Sequence, residues 1–189
     1  MRERNIIYIT KIHSIISQKI RNYFYSKAFN IDNCNISKGA YFKNSKNIEI
    51  KNFFNSGSNL WMESVDNGVI KVGNNVSFSQ NVHVAALNRV EIGNGVLVGS
   101  DVLITDHEHG INYKDIINNI PPKDRELTVK GSTLIRNNVW ISDNVKVLSG
   151  VTIGENSIIG ANSVVTRNIP SNSVAVGIPC RVIRRLGGN

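Results

Sequence analysis

Six aliphatic residues, Ile135, Ile141, Val147, Ile153, Ile159 and Val165, recur at intervals of six without a slip. That period excludes a helix, whose apolar face returns after three or four residues, and it is too long for the alternation of one strand. Asn, Asp, Ser and Gly fill the turn-like positions between. A second residue, Val139, Val145, Val151, Ser157 or Ser163, follows four places after each of the first anchors. Each unit therefore reads as a short strand and a turn. Such a strand cannot bury an apolar face alone. The units must wind and stack, each aliphatic above its equivalent in the coil below, with three units (about eighteen residues) making one triangular coil of a parallel β-helix. Side chains of successive coils crowd at the corners, which explains the Val and Ser there. A β-sandwich, the competing all-β architecture, would carry spacings that vary with its hairpins.

Upstream, Ile36, Phe42, Ile48, Phe54 and Leu60 are candidate first anchors, and their aromatics are large for a coil interior, which predicts irregular early coils. The beat slips between Trp61 and Gly68, and returns at Val72, Phe78 and Val84. It gains two residues near Asn88 to Val90, then continues through Ile92, Val98 and Ile104. A slip of that kind extends a corner without disturbing the stack. Between Gly110 and Ser132 the beat is absent, and Pro121, Pro122 and several charges mark a loop (110–132) thrown out of a coil. The chain divides into an N-terminal segment (1–30), the β-helix (31–185) and a short tail (186–189).

At 189 residues this is one domain with extensions. Cys34 and Cys180 lie far apart and form no metal-type pair, so a reduced, cytoplasmic setting is expected. The formal charge of +8 is gathered at the two ends: Arg2, Arg4, Lys11, Lys19, Arg21 and Lys27, then Arg167, Arg181, Arg184 and Arg185. It is not spread as a footprint with interleaved aromatics, so nucleic acid is not the expected partner. The first cluster sits in Met1 to Phe29, where Ile6, Ile7, Ile9, Ile12, Ile15, Ile16 and Ile20 alternate with charges as in a basic, partly amphipathic helix. No run approaches the roughly twenty apolar residues of a bilayer span, and none has the form of a signal peptide. This helix either docks on an anionic membrane surface, peripheral at the inner membrane, or packs on the β-helix base or a neighbouring subunit.

Just before the loop stands Thr105-Asp106-His107-Glu108-His109-Gly110. An imidazole, with an unperturbed pKa near 6.5, can take the proton from an attacking alcohol, and Asp106 or Glu108 could orient it. Surface histidines at a polar loop base would be the bland explanation. The flanking acids and the long loop favour chemistry.

The hexads, Asn138-Val139-Trp140-Ile141, the run Gly160 to Arg167 and the closing Gly177-Ile178-Pro179-Cys180-Arg181-Val182-Ile183-Arg184 resemble the hexapeptide-repeat acyltransferases. Within that family the chain is similar to the branch of galactoside, maltose and nodulation-factor acetyltransferases and of surface-polysaccharide (O-antigen and capsule) O-acetyltransferases. The resemblance runs from about Val72 to Arg185 and implies a left-handed β-helix, a homotrimer and acetyl-CoA bound between subunits. It further implies a histidine general base. Counting hexads from Ile92 places that base on His109, the assignment preferred by register; matching the adjacent Thr instead selects His107, kept as the rival or its partner. Asn81 falls where relatives hold the acceptor sugar, with His83 and Asp106 as further acceptor-side candidates. Trp140 falls near the pantetheine arm, Ala161 where backbone bonds the pantetheine, and Thr166, Arg167, Arg181 and Arg184 where relatives meet the adenosine phosphates. Guanidinium forks suit phosphate oxygens. Asp143 stands where relatives carry a Ser or other small residue at the cofactor.

The implied reaction is direct transfer from acetyl-CoA to a sugar hydroxyl of a bacterial surface polysaccharide or its lipid-linked precursor. It needs neither an enzyme nucleophile nor a metal. Free sugars, amino sugars (N-acetylation) and antibiotics are the alternative acceptors. Two other classes fit the repeat alone: a zinc enzyme of the γ-carbonic-anhydrase kind using His83, His107 and His109, and a non-catalytic scaffold, which would have no reason to bind CoA.

Overall fold

A computed structural model describes residues 3–110 and 113–187, with side chains from Thr10 onward. Arg2 therefore lies outside the described residues, as do the side chains of Arg4, Ile6, Ile7 and Ile9. After a helix, α1 (Glu3–Phe29), the chain winds as a parallel β-helix of about seven coils with three sheets. The inward anchors stack as three columns. They are Ile36, Ser56, Phe78, Val98, Ile141, Ile159 and Ala175 on the first sheet, and Phe42, Met62, Val84, Ile104, Val147 and Val165 on the second. The third sheet carries Ile50, Val72, Ile92, Ile135 and Ile153. Nearly all are withdrawn from water, and each such side chain contributes roughly 1.5–3 kcal/mol of burial.

The corners explain the Asn and Asp of the beat. Asn59, Asn81, Asp101, Asn138, Asn144, Asn156, Asn162 and Asn172 have φ between 56° and 60°, a left-handed conformation that Asn and Asp tolerate best among residues with a Cβ. Their side chains form ladders up the corners, Asn59 to Asn81 to Asp101 at 3.0 and 2.9 Å and Asn138 to Asn156 to Asn172 at 3.2 and 3.0 Å. The corner Asn thus sets the bend and ties one coil to the next.

The early coils depart from the expected register. Ile48, Phe54 and Leu60 are buried, but at the second register position. The anchors are Ile50, Ser56 and Met62. The cause is a 3₁₀ turn, Ser45–Asn47, that lengthens the first coil: Ile36 and Ser56, paired across it, are 20 residues apart where Ile141 and Ile159 are 18 apart. Phe54 fits because it meets Phe78 edge to face at 5.3 Å, while Ser56 leaves room in the neighbouring layer.

The C-terminal half of α1 seals the first coil. Tyr25 and Phe29 pack on Phe42 at 5.4 and 5.0 Å, and Asn22 Oδ1 accepts the Ile36 amide at 3.0 Å. Its opposite face leaves Ile12, Ile16, Ile20, Tyr23 and Phe24 about half exposed or more. No helix among the described residues is long and apolar enough to cross a membrane.

The excursion from the coil begins earlier than loss of the beat implies. After Thr105 the chain leaves the second sheet, and His107–His109 pairs antiparallel with Leu127–Val129. The tip carries a short helix, Tyr113–Ile117, and a 3₁₀ turn, Pro122–Asp124, before Thr133–Ile135 rejoins the third sheet.

Candidate active site

Asp106 is the residue on which the exit of the loop turns. Its side chain has no solvent exposure. Oδ1 accepts the Leu87 amide at 2.8 Å and His107 Nδ1–H at 3.0 Å, while Oδ2 accepts the amides of Asn88, at 2.8 Å, and Arg89. Leu87 and Asn88 belong to the two-residue corner extension, so one carboxylate satisfies the orphaned amides of an irregular turn and aims an imidazole. Ser149 Oγ donates to the Asp106 carbonyl, and Thr133 Oγ1 to that of Thr105 at 2.9 Å. Burial by itself would raise the Asp106 pKa. The bonds from His107 and the three amides outweigh it and hold the carboxyl below its usual range. Asp106 is therefore no acceptor ligand, since no atom of it can be reached.

The pairing assigns the proton on His107. An ionised carboxylate only accepts, so Nδ1 is the nitrogen that carries the hydrogen toward Asp106, and Nε2 is the one left for other partners. The His107 side chain is 13% exposed, with Thr105 Oγ1 3.2 Å from Nδ1. His109, two residues on, has an exposed side chain on the hairpin strand. Counting hexads through to His109 assumes a coil that has already ended at Thr105, so that count carries no register. Glu108 faces the other way and pairs with Lys130 at 3.0 Å.

His83 lies on the second sheet, in register with Leu103 of the strand that precedes His107. Burial lowers the His83 pKa, Glu63 opposes that, and His107 adds to the lowering. Its Nε2 is buried without a hydrogen-bond partner, 3.6 Å from Glu63 Oε1. Asn81 occupies a corner with its amide engaged in the ladder. Among the described residues of one chain, no three His, Cys, Asp or Glu side chains converge to hold a metal.

A depression of about 410 Å³ opens on the first sheet and brings Trp140, Asp143 and Ala161 together with Ser79, Leu97, Gly99 and Ser142. Trp140 is 47% exposed. Asp143 Oδ1 accepts the Ser100 amide at 2.7 Å, the corner-tying role of Asn137 toward Asn94, so its carboxylate is structural even where it lines the groove. Outward from Trp140 the register continues through Ile158 and Val174 to Arg184, three strands or about 14 Å on. An apolar column thus ends at a guanidinium group. Thr166, Arg167, Arg181 and Arg184 are exposed in the last coils and do not line the Trp140 depression. Arg185 is committed to Ser171 and Ser173. Cys34 and Cys180 are free, in the first strand and beside the last.

Residues 132–167 match the family of bacterial transferase hexapeptide (six repeats). The chain is 36% identical over 157 residues, 81% of its length and 80% of the relative's, to WbbJ of Escherichia coli K12, whose assignment as a lipopolysaccharide biosynthesis O-acetyl transferase is itself provisional. It is 37% identical over 138 residues to the galactoside O-acetyltransferase of the same organism, spanning 71% of this chain and 64% of that one. A hexapeptide-repeat acetyltransferase of Vibrio cholerae O1 biovar eltor, solved with acetyl coenzyme A, superposes with a TM-score of 0.60 at 25% identity, over 79% of this chain and 72% of that one.

Proposed function

The chain belongs to the bacterial hexapeptide-repeat transferase family and is an acetyl-CoA-dependent acyltransferase, and from that premise we propose that it acetylates a hydroxyl of a bacterial surface saccharide with His107 as general base. The observation that carries this reading is the bond from His107 Nδ1 to buried Asp106, which leaves Nε2 free at the mouth of the second sheet. The hydroxyl oxygen attacks the thioester carbon as Nε2 takes its proton. The tetrahedral intermediate collapses, the C–S bond breaks, and the proton passes to the departing CoA sulfur. Asp106 stabilises the transient imidazolium without itself taking the proton. Of the two relatives, one is named for lipopolysaccharide biosynthesis and the other for a galactoside acceptor, which supports a sugar acceptor. The test is release of free thiol from acetyl-CoA in the presence of polysaccharides and simple sugars, with NMR of the product. An O-acetyl ester on sugar supports the reading; acetylation of an amine only, or no turnover with any sugar, rejects it.

The base and the donor groove lie on different faces of one chain. His107 follows the far end of a second-sheet strand, whereas Trp140 and Ala161 flank the first-sheet groove near the opposite corner. We read them as halves supplied by neighbouring copies of a closed trimer. Mixed trimers of His107→Ala and Trp140→Ala chains are then expected to recover activity that neither variant has alone, at about a quarter of the sites for an equal random mixture. If dissociated and reassembled mixtures stay as inactive as the parents, each chain holds a whole site.

The exposed face of α1 supports an acceptor carried on a membrane lipid. Ile12, Ile16, Ile20, Tyr23 and Phe24 share it with Lys19 and Lys27, and no acidic residue occurs from Arg4 to Ile31. Such a face suits an anionic surface. The protein is expected to sediment with vesicles containing phosphatidylglycerol at low salt and far less with purely zwitterionic ones. Ile16→Asp with Ile20→Asp should abolish the difference; equal binding to both lipids would reject a charge-assisted dock.

A further inference from the structure

Tyr41, Trp61 and His83 stand in one outward column of the second sheet on consecutive coils, and the next member is Leu103, in the strand that precedes His107. The Trp61 ring stacks on the His83 imidazole at 4.3 Å and 15°, and Tyr41 meets Trp61 edge-on at 6.2 Å. Both aromatics stay open to solvent, 55% for Tyr41 and 44% for Trp61. A depression of about 450 Å³ beside them is lined by Gly39, Tyr41, Asn59, Leu60 and Trp61. The adjacent outward column is polar: Lys43 Nζ lies 3.8 Å from Glu63 Oε2, and Glu63 in turn faces the unpartnered Nε2 of His83. The third sheet is different at the same heights, presenting Glu49, Lys71 and Glu91 outward. Aromatic surface is thus concentrated on the face that carries the base.

We propose that the Tyr41–Trp61–His83 column is a saccharide-binding track for sugar residues flanking the one acetylated, so that the acceptor is an oligo- or polysaccharide rather than a free sugar. This rests on the acetyl-transfer reading above and names the acceptor class for that same site. Three features of the face select this occupant. A pyranose ring offers an apolar C–H face and a hydroxyl rim, matching exposed rings edged by a carboxylate, an ammonium and an amide. The column spans two coil steps, about 10 Å, the length of roughly two sugar residues. It also runs on to Leu103, in the strand that leads into His107, so a chain laid along the track is directed toward the candidate base.

Because the chain contains two tryptophans, Trp140→Phe leaves Trp61 as the only indole and its fluorescence reports on the track without any acetyl transfer. Titration with malto- and chito-oligosaccharides of one to six residues is expected to shift or quench that emission. The apparent Kd should tighten about tenfold from the monosaccharide to the trisaccharide or longer, and Tyr41→Ala in the same background should remove the gain. In turnover, Trp61→Ala should reduce the preference for hexasaccharide over monosaccharide, measured as the ratio of kcat/KM values, by a similar factor. An emission that ignores every sugar, or responds equally to monomer and hexamer, overturns the track. So does a Trp61→Ala chain whose mass by light scattering falls below that of wild type, which would make the column a contact between copies. Length-dependent fluorescence without any acetyl transfer would leave the track standing and sink the proposed reaction. Acetyl transfer without length dependence would do the reverse.

Discussion

His107→Ala is expected to lower kcat by about 10²- to 10⁴-fold, the range for loss of a positioned general base, while leaving the affinity for acetyl-CoA unchanged. The affinity is preserved because the proposed donor groove is on the first sheet, lined by Trp140, Ala161 and their neighbours. His109→Ala should stay near the wild-type rate, since its side chain projects from the hairpin without the Asp106 support that fixes the tautomer of His107. Thiol release at saturating acetyl-CoA, with CoA binding measured by calorimetry, checks both. If His109→Ala carries the loss and His107→Ala does not, the hairpin must reorganise on binding and the assignment is wrong. Equal modest losses in both would argue that substrate positioning, not proton transfer, dominates the rate.

The stretch from Ile135 to Val165 was legible because every element of the rule is local: an aliphatic every six residues and an Asn, Asp or Gly able to hold the corner. The two extra residues near Asn88 to Val90 were legible for the same reason, as a counted interruption. What holds that extension was not. Asp106 lies 17 to 19 residues from the amides it accepts, and only the stacking of coils brings them together. The His107 and His109 ambiguity has a related origin. A repeat count predicts positions only while the chain remains in the repeat, and nothing in Thr105 to Gly110 marks the switch from parallel pairing to an antiparallel hairpin. The aromatic column escaped notice because Tyr41, Trp61 and His83 are spaced by 20 and 22 residues, so no fixed period links them.

Asp106 is also where catalysis and stability share one side chain, and its removal is expected to damage both. Asp106→Ala leaves the amides of Leu87, Asn88 and Arg89 without their buried acceptor, and because water reaches this half-exposed corner the loss should fall at the low end of roughly 1–3 kcal/mol per donor, about 3 kcal/mol in all. Asp106→Asn is the sharper probe, for it keeps the volume and one acceptor oxygen but directs an NH₂ at a donor. It should cost somewhat less stability and still lower kcat by about 10²-fold or more, by releasing or inverting the His107 tautomer. The pH dependence follows from the depressed pKa of the native carboxyl. A group held below its unfolded value, about 3.9, contributes fully above that pH and loses its contribution as the pH falls through the lower native value. The stability gap between wild type and Asp106→Asn should therefore be constant from pH 6 to 8 and narrow below about pH 4. Urea unfolding across that range at one fixed protein concentration, so that any subunit association is held constant, measures it. A gap that persists unchanged to pH 3 would mean that the carboxylate's charge contributes nothing and that the corner is held by shape alone.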